Sequence, residues 1–221
     1  MVRTVRTKAN RKDELRLDST HLIAFDMAHT ALRTGLASAS TLNIIQFHTL
    51  IKVFTTGTMG LSQTDLCVCL DLKPNVVSLA VQVLEEAGLI SRTKGDDGDG
   101  RVKVVRITDA GCDHTAVVNV CIIEQLYTIF PTQNKLFRSI LEASIAAGAN
   151  IDPPASEDIV RRFLASRALV SLELIRRTFE TMLRNLAGVS FNEYRILQRL
   201  SEVGTPLRSV DLVHQLCLSP A

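Results

Sequence analysis

Three polar side chains recur at helical spacing in one short stretch of the chain. Drawn at about 100° per residue, Asn75, Ser78 and Gln82 share one face of a helix, with the apolar Leu79 beside them. The opposite face is apolar and consists of Val77, Ala80, Val81 and Leu84. An amide can hydrogen-bond to N6 and N7 of adenine, and an apolar side chain such as Val76 or Leu79 can meet a thymine methyl. The polar face therefore has the chemistry to read base edges.

Both ends of that stretch, KPNVVSLAVQVLEEAG, carry helix-boundary signals. Pro74 suits the first helical turn, where its missing N–H costs nothing, and Gly88 sits where a helix ends in a left-handed residue. A short helix capped by Ser62 precedes it at 61–70, and a strand pair with a polar tip follows at 89–107. This order predicts a winged helix-turn-helix, whose second helix enters the major groove.

Basic residues surround this proposed reading helix, although the chain as a whole is nearly neutral. With 25 Lys and Arg against 23 Asp and Glu, the formal net charge is only +2. Leu79, Val83 and Ala87 leave the helix itself without a basic residue, so its attraction for phosphate is weak. The flanking basic residues are Lys73, Arg92, Lys94, Arg101, Lys103 and Arg106.

Catalytic and metal-binding patterns are absent from the sequence. It has no nucleophile–base pair, no Gly-rich phosphate loop and no cluster at metal-ligand spacing, which predicts a protein that is not an enzyme and holds no cofactor or metal. The acidic run Asp96-Asp-Gly-Asp99-Gly invites a calcium interpretation, but the later bidentate acid of a calcium loop is missing. A tight wing tip is the better interpretation.

The five cysteines are an odd number in a chain without an export signal, which argues against a disulfide scaffold. We therefore expect buried structural thiols, with a redox switch at Cys67, Cys112 or Cys121 as the alternative. The sequence holds no run of eighteen apolar residues, and its basic start is followed by no apolar segment. These features predict no membrane span, no secretory signal and a cytoplasmic location.

The rest of the chain divides at composition changes. Residues 1–17 form a basic arm without apolar periodicity, and 148–155, with two prolines, form a linker. Between them, 18–147 contains amphipathic helices whose apolar stripes recur at helical spacing. The stripe of the first helix is Leu22, Phe25, His29, Leu32 and Leu36, and that of the helix opened by Thr108-Asp-Ala-Gly111 is Ala116, Val120, Ile123, Leu126 and Ile129 or Phe130. A further helix is expected at 133–147.

Residues 156–221 contain a long helix followed by a partial internal repeat. The segment 46–50 aligns with 193–197 at an offset of 147. Beyond the turn the offset becomes 146, where Asp65-Leu66, Leu70, Leu72 and Pro74 align with Asp211-Leu212, Leu216, Leu218 and Pro220. This predicts a second unit that stops before a reading helix and wing.

The run LSQTDLCVCLDLKPNVVSLAVQVLEEAGLISRTKGDDGDGRVKVVRITDAG resembles the winged helix-turn-helix core of MarR-family transcriptional regulators. The matching features are the exit LEEAGLIxR at 84–92, Asp99-Gly-Arg101 at the wing, and Ile107-Thr108-Asp-Ala-Gly111 after it. The resemblance covers about residues 20–147 and is partial again from 156 onwards. It implies a mainly α fold with a small β-wing, in which a winged helix-turn-helix is flanked by dimerisation helices.

Membership would imply a homodimer with two reading helices in successive major grooves, and the second unit adds an intrachain pseudo-dimer as an alternative. It also implies that Arg101 enters the minor groove, oriented by Asp99. The expected double-stranded DNA contacts are Lys73, Asn75, Val76, Ser78, Leu79, Gln82, Arg92, Lys94, Asp99, Arg101 and Lys103. An effector site between the dimerisation helices and the DNA-binding lobe would take Phe25, His29, Phe47 and His48, for which core or surface roles are the alternative.

Two functions follow as hypotheses. The first is a DNA-binding transcriptional regulator, a repressor relieved by a small-molecule or redox signal. The second is a winged-helix protein-interaction module that has lost DNA reading, which the absence of basic residues on the helix would allow. The slope of affinity against salt separates them, because phosphate contacts release counterions.

Overall fold

The computed structural model describes residues 18–57, 59–94, 103–130, 133–136, 138–139, 141–142, 146 and 157–218. The predicted basic arm, the wing tip with Asp99 and Arg101 and the linker lie outside these residues. Of the predicted helix at 133–147, six positions lie outside them, and 135–136, 138–139, 141–142 and 146 are helical. The elements are α1 (Ser19–Ala39), α2 (Ile44–Thr55), β1 (Leu61–Ser62), α3 (Gln63–Leu70), α4 (Pro74–Glu86), β2 (Ile90–Lys94), β3 (Lys103–Ile107), α5 (Asp109–Ile129), α6 (Glu157–Ala187), α7 (Phe191–Val203) and α8 (Ser209–Gln215).

Local side chains set where the helices begin. The Ser62 hydroxyl accepts the Asp65 N–H at 3.1 Å, and the Thr108 hydroxyl accepts the Gly111 N–H at 3.0 Å, so both predicted caps are confirmed. Asn43 caps α2 by accepting the Gln46 N–H. Each such contact satisfies an N–H that has no partner within its helix.

A helix-turn-helix and a three-stranded antiparallel sheet form the centre of the fold. α3 ends at Leu70. The next residue, Asp71, has a left-handed backbone (φ 49°, ψ 52°) that turns the chain sharply, and α4 begins three residues after it at Pro74. The two helices are bent by 114° relative to each other. The sheet has the order β1-β3-β2, with the β2–β3 hairpin as the wing. The predicted winged helix-turn-helix, mainly α with a small β-wing, is confirmed.

α1 and α5 lie close together because α1 offers small residues at their contact. A Cβ at Gly35 would lie only 2.6 Å from the Ile122 Cα, so the two backbones nearly touch. At this contact Val118 and Ile122 are buried, whereas Val120, an apolar position of the predicted helix, is 54% exposed. The partner helix decides which of two apolar rows is covered, and the row through Val120 is not the covered one.

The helix α7 packs against α1 through polar contacts as well as through the apolar pair of Leu22 and Phe191. Asp26 of α1 forms an ion pair at 2.9 Å with Arg195 of α7, which is buried. At the start of α1, the Ser19 N–H and hydroxyl both donate to the Glu202 carboxylate. These contacts join residues far apart in sequence and fix α7 against the start of α1.

The ends of α3 and α8 share an unusual geometry. Among the described residues, Asp71 and Cys217 are the non-glycine positions with positive φ, and 146 residues separate them. The Leu72 N–H donates to the Cys67 carbonyl at 3.1 Å, and the Leu218 N–H donates to the Val213 carbonyl at 3.0 Å. The two helix ends therefore close with the same hydrogen-bonded turn.

Candidate nucleic-acid interface

Burial of one face fixes the rotation of α4. Val77, Val81 and Leu84 have no exposed surface, and Ala80 is 3% exposed. A fully buried side chain of this kind contributes about 1.5–3 kcal/mol, so turning the helix about its axis would be costly. The face opposite these residues must point to solvent.

The solvent face carries the predicted base-reading residues. Asn75, Ser78 and Gln82 are exposed, and Leu79 between them is 62% exposed. Of the others predicted on this helix or at its start, Lys73 is exposed and Val76 is half-buried. The Gln82 amide donates to the Glu86 carboxylate at 2.8 Å, one turn further along. The strip is accessible, and one of its amides has an intrahelical partner.

Arg92 pairs with Glu85, a residue near the end of α4 that the sequence analysis did not identify. Its Nε donates to Glu85 Oε2 at 2.7 Å, and its Nη2 contacts the same oxygen. The hydrogen bond from Arg92 lowers the pKa of the Glu85 carboxyl. An acidic residue seven positions before an arginine was the available signal, and folding brings the pair together by reversing the chain between α4 and β2.

The base of the wing presents basic residues beside α4. Lys103 is exposed at the start of β3, and its Cα is paired with that of Lys94 in β2. Arg106 donates a hydrogen bond to the Thr93 hydroxyl. The predicted contacts Asp99 and Arg101 lie in the segment that connects Lys94 to Lys103, outside the described residues. The side chain of Lys94 is also outside them.

The four candidate effector residues separate into two places. Phe47 and His48 lie in the core, with 0% and 7% of their surface exposed. Phe25 and His29 line a cavity of about 10 Å³ between α1 and α6, room for a single water, and His29 Nδ1 lies 2.5 Å from Glu173 Oε2. The structure therefore brings only Phe25 and His29 together.

An open cleft lies elsewhere, between the end of α1 and the start of α2. It has a volume of about 380 Å³ and a mainly apolar lining, which consists of Arg33, Leu36, Ala37, Leu42, Asn43, Ile44 and Ile45. This volume is within the range of small-molecule sites. None of the four predicted effector residues lines it.

The cysteines are not the buried thiols that we expected. Cys69 and Cys217 are exposed, while Cys67, Cys112 and Cys121 are partly buried, and all five are free thiols. Exposure follows from position, because Cys69 lies on the outer face of α3. Burial, with nearby Asp109 and Asp113, raises the pKa of the Cys112 thiol, which disfavours the reactive thiolate there.

His48 makes the stability of the fold depend on pH. Burial lowers the pKa of His48 to about 3, and the charges of Arg177 and Lys52 act in the same direction. The unfolded chain takes up this proton near pH 6.5, whereas the folded chain does not, so acid favours unfolding. We expect the free energy of unfolding to fall by about 2 kcal/mol between pH 7 and pH 5 because of this residue.

Urea unfolding at pH 7 and pH 5 tests this expectation. His48→Gln, which cannot titrate, should lose that part of the pH dependence, whereas His214→Gln, which removes an exposed histidine, should retain it. An equal fall for wild type and His48→Gln would contradict the assignment.

Among the described residues, neither a metal-binding cluster nor a single membrane-spanning helix is found. In these parts of the chain, no group of three or more His, Cys, Asp or Glu residues is arranged to hold a metal ion. No single described helix is both long and apolar enough to cross a membrane, although α3 and α4 together meet the criteria of length and composition.

Comparisons with known proteins give distant structural matches. No protein-family model matches the chain, and no curated protein matches it. It is similar to a MarR-family transcriptional regulator from Rhodococcus sp. RHA1, with 18% identity, 58% of this chain and 86% of that chain covered, and a TM-score of 0.47. CouR from Rhodococcus jostii RHA1 bound to p-coumaroyl-CoA matches with 20% identity, 60% and 89% coverage and a TM-score of 0.44. A mutant of S. aureus MepR bound to an oligodeoxyribonucleotide matches with 22% identity, 58% and 91% coverage and a TM-score of 0.43.

Proposed function

We propose that this protein is a cytoplasmic, sequence-specific DNA-binding transcriptional regulator in which α4 is the reading helix. The observation that carries the proposal is the division of α4 into two faces. Val77, Val81 and Leu84 anchor one face in the core, and the other presents Asn75 and Gln82 to solvent. A helix held this way can enter a major groove with its amides towards the base edges.

Groups beside α4 supply contacts to the DNA backbone in this proposal. Lys73 precedes Pro74 at the positive end of the helix dipole, and no side chain caps this helix start. Lys103 extends the basic surface onto the wing. Arg101, with Asp99 to orient it, would reach the minor groove beyond that point.

We propose that residues 156–221 form a second, partial winged-helix unit, so that the chain resembles a pseudo-dimer. The support is the identical turn at Asp71 and Cys217 and the matching capping boxes of α2 and α7, Asn43 with Gln46 and Ser190 with Glu193. A homodimer would then pair two such chains on a palindromic site.

A small-molecule signal that relieves repression also belongs to the proposal. The apolar cleft beside Leu36 and Leu42 has the volume such a ligand needs. A redox signal is the weaker alternative, because the raised pKa of Cys112 disfavours reaction at that thiol.

The second candidate function is a protein-interaction module on the same fold. Two exposed apolar side chains favour it, Val68 on α3 at 77% and Leu79 on α4 at 62%, and Arg92 is already paired with Glu85. A protein partner would cover these apolar residues. Its binding would depend far less on salt than binding to phosphates would.

Removing the two amides of α4 tests the proposed reading. Selection from a random duplex library followed by gel shift should yield a preferred site, and Asn75→Ala with Gln82→Ala should weaken binding to it by about 100-fold, since each bidentate amide–adenine contact is worth roughly 1–3 kcal/mol. Affinity for random DNA should change little.

The matched control is Asn185→Ala, which removes an exposed amide on α6. Arg101→Ala should weaken both specific and random binding, because the proposed wing contact follows groove shape. No preferred site, or a salt slope near zero, would favour the interaction module.

A further inference from the structure

The corner between α3 and α4 is held by a side chain from a distant helix. Arg177 Nη2, on α6, donates to the Leu70 carbonyl at 2.8 Å and to the Asp71 carbonyl at 3.3 Å. Leu70 is the last residue of α3, and Asp71 is the left-handed residue that begins the turn. Carbonyls at a helix C-terminus have no partner within the helix and carry partial negative charge, so a guanidinium suits them well.

The surroundings of Arg177 fit this contact with carbonyls. The neighbouring histidine on α2, His48, is buried and stays neutral at ordinary pH because burial lowers its pKa to about 3. It therefore adds no second positive charge next to the guanidinium. Arg177 is itself partly buried, and its guanidinium lies at the corner.

The end of α8 offers a comparison inside the same molecule. There, Cys217 has the positive φ, and the carbonyl of Leu216 accepts a hydrogen bond from Nη2 of Arg195. Leu216 follows Leu70 by 146 residues, and Arg195 follows His48 by 147. Both turns thus use an arginine on the same carbonyl. At the first turn, His48 occupies the position that corresponds to Arg195. The arginine that binds the Leu70 carbonyl comes from α6 instead.

We infer that Arg177 is a positioning residue through which α6 fixes the direction of the reading helix α4. This inference rests on the proposed function. The connection between the helices is only three residues long, so rotation at Asp71 carries all of α4 with it. α4 is about 20 Å long, and a rotation of about 10° would move its far end by roughly 3 Å, enough to break base contacts.

The consequence is that DNA reading depends on the C-terminal helices although they contribute no base contact. Arg177 acts through the corner and not on phosphate. Its loss should therefore reduce affinity without reducing the number of counterions released on binding.

The test compares Arg177→Met, which keeps the apolar stem, with Arg177→Lys, which keeps one charged donor, in the full chain. Arg184→Met, near the end of the same helix and exposed, is the matched control. Amide hydrogen exchange reports on the corner at Leu72 and Val77, denaturant unfolding reports on global stability, and gel shift at several salt concentrations reports on binding.

For Arg177→Met we expect exchange at the corner to accelerate about tenfold, specific affinity to fall about tenfold and the salt slope to stay unchanged. Arg177→Lys should recover part of both effects, and Arg184→Met should match wild type. Unchanged exchange at the corner, unchanged affinity despite faster exchange, or a salt slope reduced by about one would each overturn the inference. If wild type bound no DNA, the proposed function would fail, and so would the claim about reading, while the exchange data would still show whether Arg177 holds the corner.

Discussion

Replacing Gly111 with alanine should lower the free energy of unfolding by about 3 kcal/mol, the upper end of the usual cost of overpacking. A Cβ at this position would lie 2.1 Å from the Leu89 carbonyl oxygen and 2.8 Å from Ile107 Cδ1. The Leu89 oxygen cannot move away easily, because it also accepts the Thr108 N–H at 3.2 Å. The clash would therefore occur where both wing strands meet the start of α5.

Denaturant unfolding monitored by circular dichroism measures this loss. Alanine favours a helix over glycine by about 1 kcal/mol, which acts against the expected change, so a net destabilisation is informative. Asp113→Ala, an exposed position in the same turn of α5, should change stability by less than about 0.5 kcal/mol. Equal stability of Gly111→Ala and wild type would mean that the backbones are further apart than the structure has them.

The parts of the fold that sequence predicted are those set by neighbouring residues. Ser62 and Thr108 cap their helices as predicted, since a cap needs only a side-chain oxygen three residues before an N–H. The buried face of α4 was predicted from the helical spacing of its apolar residues. The exposed Asn75 and Gln82 were predictable for the same reason, because the rotation of a helix fixes both of its faces.

Packing between distant elements could not be predicted in the same way. α5 has two apolar rows at helical spacing, and the choice between them depended on the close approach of Ile122 to Gly35. The pairing of Arg92 with Glu85 required the chain to reverse between α4 and β2. The contact of Arg177 with the corner joins residues 107 positions apart, and no local pattern contains that information.

Replacing Asp26 with alanine should cost about 3 kcal/mol of stability and detach α7 from α1. Arg195 is 1% exposed, and Asp26, at 2.9 Å, is the carboxylate in its ion pair. The remaining partners are neutral, among them the Asn192 side-chain oxygen at 3.1 Å and the Phe191 ring at 5.8 Å. Removing one partner of a buried ion pair leaves an uncompensated charge in a medium of low dielectric constant, at a typical cost of about 3–5 kcal/mol. Asp26 is 25% exposed, which favours the lower end.

The origin of that cost is testable with a double-mutant cycle. The loss of stability can be assigned to the Arg195 guanidinium if removing that charge restores stability. In that case, Asp26→Ala combined with Arg195→Met should be more stable than Asp26→Ala alone, because the apolar methionine fits the same buried site without a charge. Asp211→Ala is the control, since its partner Arg208 is 80% exposed and an exposed pair contributes about 0–1 kcal/mol. If the double variant were the least stable of the set, Arg195 would serve α7 through its packing and its bond to the Leu216 carbonyl, and the charge of Asp26 would be secondary.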